Sequence, residues 1–359
     1  MKRLIIAAIT ALITSSAMAE EVTIRFGYPG IGLDNRQYSQ GDATSYARAR
    51  EFIEKEFAAD KDVKIEWTFF RGAGPALNES IAASQLDFFL LGDLPAIVGR
   101  SRGLEHKFVF ATGRHQPIYL AVPADSTIQS INDVKGKKVA LFKGTNLQLA
   151  TDRVLSTHGL KEKDVRFINL DTNAAVPALT SGNVDAVFGG PEYLALAKKG
   201  IVKIVYTTKG DDPTLGRNSS YLVTTAFEQA HPDITQRVVT TFVKAAAFAS
   251  DPANKDEVFD GWSLSGFPKE TFEADIEGDT LANRLNPLID DFVVARYKEQ
   301  AARAKAYGLI KTDVDVDGWF EPKYLQQALK DLKLETYWSS FKVDGEIETA
   351  GVLDKKQTN

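Results

Sequence analysis

Three stretches of this chain place glycine where a strand gives way to a helix: Arg71-Gly72-Ala73-Gly74-Pro75, Gly92-Asp93 and Lys143-Gly144-Thr145-Asn146. A helix N-terminus presents unpaired N–H groups and the positive end of the peptide dipole. Glycine lets a ligand come close to that backbone, so the three junctions together suit an oxyanion. Each has a plainer account, since Thr145 and Asp93 are good helix caps and the glycines are good turn residues. Arginine is the natural charged partner of a carboxylate, phosphate or sulfonate, because its fork meets two oxygens at once. Arg36, Arg71, Arg114 and Arg217 fall in predicted loops or strand ends, and Arg71 and Arg217 stand beside suspected junctions. Tyr28, Tyr193 and Tyr221 could wall an organic tail. Core packing is the simpler account of the last two, and Tyr28, just after the first strand, is the pocket candidate.

Signals for catalysis are poor. His106, His115, His158 and His231 show no paired metal spacing. His158 beside Gly159 complements a helix C-terminus, and His231-Pro232 reads as a helix start. No nucleophile elbow, phosphate loop or dinucleotide fingerprint occurs. Asp313-Val314-Asp315-Val316-Asp317-Gly318 imitates the start of a calcium loop, but Tyr324 stands where the closing Glu belongs. The expectation is a protein without catalytic residues, metal or cofactor.

The elements that must carry these junctions follow from the apolar pattern. Lys2 and Arg3, the apolar run Leu4 to Ile13 and the small-residue site Ala17-Met18-Ala19 read as a secretory signal peptide over residues 1–19. Its removal leaves 340 residues with 41 basic against 48 acidic side chains, a net charge of −7. That balance argues against nucleic acid as a partner, and it leaves an anion to be held by local donors. The sequence has no cysteine, which removes disulfides, thiol nucleophiles and a lipid-modified cysteine after the cleavage point. The expected location is the periplasm, free in solution.

Apolar alternation or short apolar runs predict strands at Val22–Tyr28, Val63–Phe70, Phe88–Leu91, Phe108–Ala111, Tyr119–Val122, Lys138–Phe142, Val165–Leu170, Ala186–Phe188 and Val202–Thr207. Helical spacing between them predicts parallel α/β sheets. Tyr46, Ala49, Ile53 and Phe57 read as one helix. From His231 the chain is mainly helical, and the tail from Lys342 reads as loose. Two segments echo each other at an offset of 98 residues: Ile81 to Asp87 with the strand ending at Gly92, and Leu179 to Asp185 with the strand ending at Gly190. They suggest two lobes of like topology.

At this point a family resemblance has its residues. Ile24-Arg25-Phe26-Gly27-Tyr28, Ala76 to Ser80 with Leu86-Asp87-Phe88, Gly92 to Ile97, Val134 to Ala140 with Lys143 to Asn146, Ser219 to Val223 with His231-Pro232-Asp233, and Gly308-Leu309-Ile310 with Asp315 to Phe320 occur in order. The chain resembles the aliphatic sulfonate, taurine and nitrate class of ABC-transporter solute-binding proteins. The resemblance implies an α/β, type II two-lobe periplasmic-binding-protein fold, each lobe a mostly parallel sheet flanked by helices, with a helical C-terminal extension. Lobe 1 would comprise residues 20–116 and 219–359, and lobe 2 residues 117–218, with crossings near Arg114–Tyr119 and Arg217–Tyr221. It implies capture of a small organic anion by hinge closure, a monomer, and delivery to an ABC permease in the inner membrane. The expected ligand residues are Tyr28, Arg71, Gly74, Gly92, Asp93, Gly144, Thr145, Asn146, Glu192 and Arg217. Two departures fall at the presumed cleft: a long loop over Ile31–Thr44, and Gly190-Pro191-Glu192-Tyr193 in place of an aromatic-acidic-proline segment. The alternatives are a cleft enzyme related to pyrimidine-precursor synthases and a periplasmic ligand sensor.

Overall fold

The computed structural model describes residues 21–357, and the expected signal peptide lies outside them. The chain opens with β1 (Val22–Pro29), α1 (Ala43–Ala49), α2 (Phe52–Glu56), β2 (Val63–Phe70), α3 (Ala73–Ala82), β3 (Phe88–Gly92), α4 (Asp93–Ser101) and β4 (His106–Gln116). There follow β5 (Tyr119–Pro123), β6 (Lys138–Leu141), α5 (Asn146–Thr157), β7 (Arg166–Asn169), α6 (Thr172–Thr180), β8 (Ala186–Gly189), α7 (Leu194–Lys198) and β9 (Val202–Thr207). The remainder is β10 (Arg217–Thr224), α8 (Thr225–Ala230), α9 (Pro232–Ser250), α10 (Lys255–Trp262), α11 (Lys269–Ile276), α12 (Leu281–Arg284), α13 (Asp291–Ala306), α14 (Lys323–Leu332), β11 (Ser340–Phe341), β12 (Ile347–Thr349) and α15 (Val352–Gln357).

The strands form two five-stranded sheets, in the orders β2-β1-β3-β10-β4 and β7-β6-β8-β5-β9. In the first, β1 pairs β2 and β3 in parallel, and β10 runs antiparallel to both β3 and β4. In the second, β6 pairs β7 and β8 in parallel, and β5 runs antiparallel to both β8 and β9. The two orders are one pattern drawn twice, with an antiparallel strand slotted beside the central one. The chain passes between sheets at Pro117–Ile118 and again over Thr208–Gly216. The second passage precedes the expected one: Arg217 to Tyr221 already pair within the first sheet, Arg217 opposite Gln116.

The repeated segment has a definite role. Asp87 N donates to Arg25 O, and Arg25 N donates to the Asp87 carboxylate at 2.9 Å. Asp185 N donates to Lys138 O, and Lys138 N donates to the Asp185 carboxylate at 2.8 Å. Each aspartate thus locks the start of one inner strand to its parallel neighbour and fixes their register. The preceding helices also end alike, with Gln85 N and Asn183 N reaching back to the carbonyls of Ser80 and Ala178.

Both faces of each sheet are covered, as parallel strands require. Ile24, Phe26 and Tyr28 share one face of β1 and pack with α1, α9 and Trp262. Leu77, Phe89, Ile97, Phe108, Tyr297 and Trp319 fill the opposite side under α3, α4 and α13. The first helix is broken: Glu51, at φ 56°, separates α1 from α2. The C-terminal tail is structured as far as Gln357. β11 pairs β12, and α15 seats Leu353, 1% exposed, in the core. Apolar residues too sparse to show a period still anchor that segment.

Candidate functional site

A cavity of about 260 Å³ lies between the two sheets at the carboxyl ends of their parallel strands. The first lobe contributes Pro29, Gly30 and Ile31 at the end of β1, Arg71, Ala73 and Gly74 after β2, and Gly92 at the end of β3. The second contributes Thr145, Asn146 and Leu147 after β6, Asp171 to Asn173 after β7, and Gly190 to Glu192 after β8. Arg217 and Ser219 enter from β10, and Trp262, Phe267, Phe272, Asp275, Ile276 and Arg284 add a wall from the C-terminal helices.

The main-chain donors differ from helix to helix. No side chain caps α3, whose first residue, Ala73, sits at φ 49°. A non-glycine residue held there is a strained arrangement of the kind that clusters at binding sites. Gly92 caps α4 without a side chain, although Asp93 Oδ1 takes the Leu94 N–H at 2.7 Å. Thr145 Oγ1 accepts from Leu147 N at 3.3 Å, and Asp171 caps α6 through Ala174 N at 2.8 Å. Four helices of eight residues or more, α3 and α4 from one lobe and α5 and α6 from the other, therefore aim their positive ends at one space.

The lobes touch around that space. A Cβ at Gly92 would lie 2.7 Å from the Asn146 side chain, and one at Gly144 would lie 2.8 Å from Pro75 Cγ. Gly144 also has φ +78°, so glycine is required there both by backbone and by the approach of the other lobe. Asn146 Nδ2 donates across to Asn218 O at 3.4 Å, and Tyr119 OH donates to Asp275 at 2.7 Å. The cavity is walled in by contact between the lobes.

Of the expected ligand residues, the structure brings Arg71, Gly74, Gly92, Thr145, Asn146, Glu192 and Arg217 to the cavity wall. Three lie elsewhere. Tyr28 is fully buried and stacks on Phe69 with ring centroids 5.2 Å apart, because strand parity sends it inward with Ile24 and Phe26. Asp93 lies behind the wall, where it accepts from Leu94 N and Asn218 N, and burial pushes its carboxyl up to about 7. Gly144 sits at the lobe contact, its N–H donated to Gln148. Arg71 donates to Asn35 Oδ1 and so fastens the Ile31–Thr44 loop beside the mouth. Arg114 is spent inside, in a 2.7 Å ion pair with Asp290. Nothing in the local sequence marks Trp262, Phe272, Asp275 or Arg284 as wall residues, since they reach the cleft only through the packing of α10 to α12.

The family described as NMT1/THI5 like matches residues 53–255, more than half of the chain, from α2 to the start of α10. The chain belongs to the NMT1/THI5-like family. A relative from Bacillus subtilis (strain 168), which carries the name of an aliphatic sulfonates-binding protein, is 29% identical over 288 residues, 79% of this chain and 84% of its own length. The taurine-binding periplasmic protein of Escherichia coli (strain K12) is 25% identical over 236 residues, 62% of this chain and 71% of its own. Among solved structures, the one described as the periplasmic sulfonate-binding protein SsuA of a sulfonate ABC transporter, from Methylobacillus flagellatus KT, superposes with a TM-score of 0.77 at 29% identity, covering 90% of this chain and 98% of that one. The NMT1/THI5-like chain described here therefore has the periplasmic-binding-protein fold, with two mixed sheets and a helical C-terminal part.

Proposed function

We propose that this chain is the periplasmic solute-binding component of an ABC importer and closes on a small organic anion, an aliphatic sulfonate or taurine-like compound. The observation that carries the reading is the convergence of the α3, α4 and α5 N-termini, drawn from both lobes, on one cavity. A ligand drives closure only by binding the closed form more tightly, and donors from both lobes provide that difference. The names of the relatives support a sulfonate as the head group.

Apolar side chains, among them Leu90, Phe142, Leu147, Trp262 and Phe272, leave room beside the donors for an organic tail. The exported location and the inner-membrane permease partner belong to the same proposal. No histidine lines the cavity, and His106 is consumed in the core by Trp319 Nε1 at 3.0 Å. With cysteine absent as well, the cleft has neither of the side chains on which the enzyme alternative depends.

Titration calorimetry with a panel of sulfonates, sulfate, nitrate and carboxylates tests the reading. At least one sulfonate should bind in the micromolar range or better, and Asn146→Leu should weaken it by roughly a hundredfold through lost polar contact and crowding. Undiminished affinity in that variant overturns the site, and silence across the panel overturns the ligand class.

A further inference from the structure

Helix α5 belongs to the second lobe but is buried on every side from Leu147 to Leu155. Leu147, Ala150, Val154 and Leu155 pack into the second lobe's core, whereas Leu149 joins the first lobe's core under α4 and α13. Arg153 stands one turn beyond Leu149 on the same face, so the first lobe covers it too. Its side chain is 4% exposed.

A guanidinium in that place is poorly served. Nη2 donates to Thr214 Oγ1 at 2.9 Å and lies 3.5 Å from Glu299 Oε1 on α13. Nε and Nη1 are buried and have no hydrogen-bond partner among the described residues. Glu299 is already taken, since Arg303 Nε donates to Oε1 at 2.7 Å and Arg296 Nη1 to Oε2. One carboxylate therefore faces three arginines. Asp93 attracts Arg153 from α4, but its oxygens are given to Leu94 N and Asn218 N. Burial lowers the Arg153 pKa, and Arg303 and Arg296 push the same way against the pull of Glu299 and Asp93.

Covering such a charge is unfavourable. Contact between the lobes does the covering, because Arg153 is carried by one lobe and Asp93, Arg296, Glu299 and Arg303 by the other.

We propose that Arg153 is a counterweight to closure: its underpaired guanidinium raises the energy of the closed form, holds the ligand-free protein open and sets ligand affinity from outside the cavity. Arg153 does not line the cavity. The inference rests on the hinge-closure reading above and deepens it. When the binding-competent form is a minor one, apparent affinity falls by its fractional population, whatever the ligand. Removing the charge strands no other ion, since Glu299 keeps Arg303 and Arg296. The usual penalty for truncating one member of a buried pair is thereby avoided.

Small-angle scattering and calorimetry on Arg153→Met test the counterweight. The ligand-free variant should be more compact than the unaltered protein. It should also bind every sulfonate that the unaltered protein binds more tightly, by one common factor of roughly three to ten. Arg153→Lys keeps a charge there and should leave both readings near the unaltered values. Arg153→Gln, neutral and polar, should move both as Arg153→Met does, and it decides the matter if the apolar variant does not fold. Weaker or unchanged binding in the neutral variants overturns the proposal, as does tightening without compaction. A gain that differs from one sulfonate to another places Arg153 against the ligand and overturns it too. If no anion binds either protein, the anion reading fails, and the scattering of the ligand-free variants still decides the role of Arg153.

Discussion

Asp87 and Asp185 occupy the same place in the two lobes and make the same pair of main-chain hydrogen bonds, but they are not equally reinforced. Asp87 is buried and also receives the Arg25 guanidinium, Nε at 2.8 Å and Nη2 at 2.6 Å. Asp185 is exposed, and Lys138 opposite it gives only its backbone. One topology thus carries a charged clamp in the lobe that also supports the C-terminal helices and a bare one in its counterpart. Topology sets the register, and burial decides how much energy rests on it.

The comparison can be broken by removing each clamp. Asp87→Ala should cost about 3 kcal/mol, because it strands the Arg25 guanidinium and the Arg25 main-chain amide. Asp185→Ala should cost roughly 1 kcal/mol, the worth of an exposed hydrogen bond. Urea denaturation of the two variants gives both numbers, and equal losses would show that burial does not distinguish them.

Two glycines of the second lobe sharpen it next. Gly136 and Gly144 both have positive φ, but only Gly144 meets the other lobe. Gly136→Ala should cost about 1 kcal/mol of stability and leave ligand affinity alone. Gly144→Ala should add a loss of roughly tenfold in affinity, because the new methyl holds the cleft from Pro75. Calorimetry alongside denaturation separates the two effects.

The smallest effect concerns two buried acids. Burial pushes both Asp93 in α4 and Asp152 in α5 up to about 7. A carboxyl raised in the folded state favours folding when protonated. Its contribution is complete below about pH 4 and is lost as pH rises through about 7. Asp93 keeps two backbone donors, whereas neither Asp152 oxygen has a partner. Asp152→Asn should therefore raise stability at pH 8 by about 1 kcal/mol and flatten its rise between pH 7 and 4. Melting temperatures across that range show it.

Much of the scaffold was legible because parallel strands buried on both faces leave short apolar runs, as Phe88 to Leu91 do. The glycine junctions were legible for the same reason, since they close those runs. What escaped were relations that no local pattern records. Tyr28 obeys the alternation of Ile24 and Phe26, yet its position at the end of the strand suggested a pocket. β10 carries no mark of the sheet it joins, and Asp275 reaches the cleft only because α11 folds back from far along the chain.

The insertion of β10 also orders assembly. The second sheet uses one unbroken stretch, Tyr119 to Thr207, and can pair all its strands once that stretch has emerged. In the first sheet β4 pairs β10 and, through Phe108, bridges Phe320, so it has no strand partner until β10 arrives about a hundred residues later. An emerging chain would thus finish its middle before its beginning, and the unpaired β4 edge is the segment with the longest need of protection.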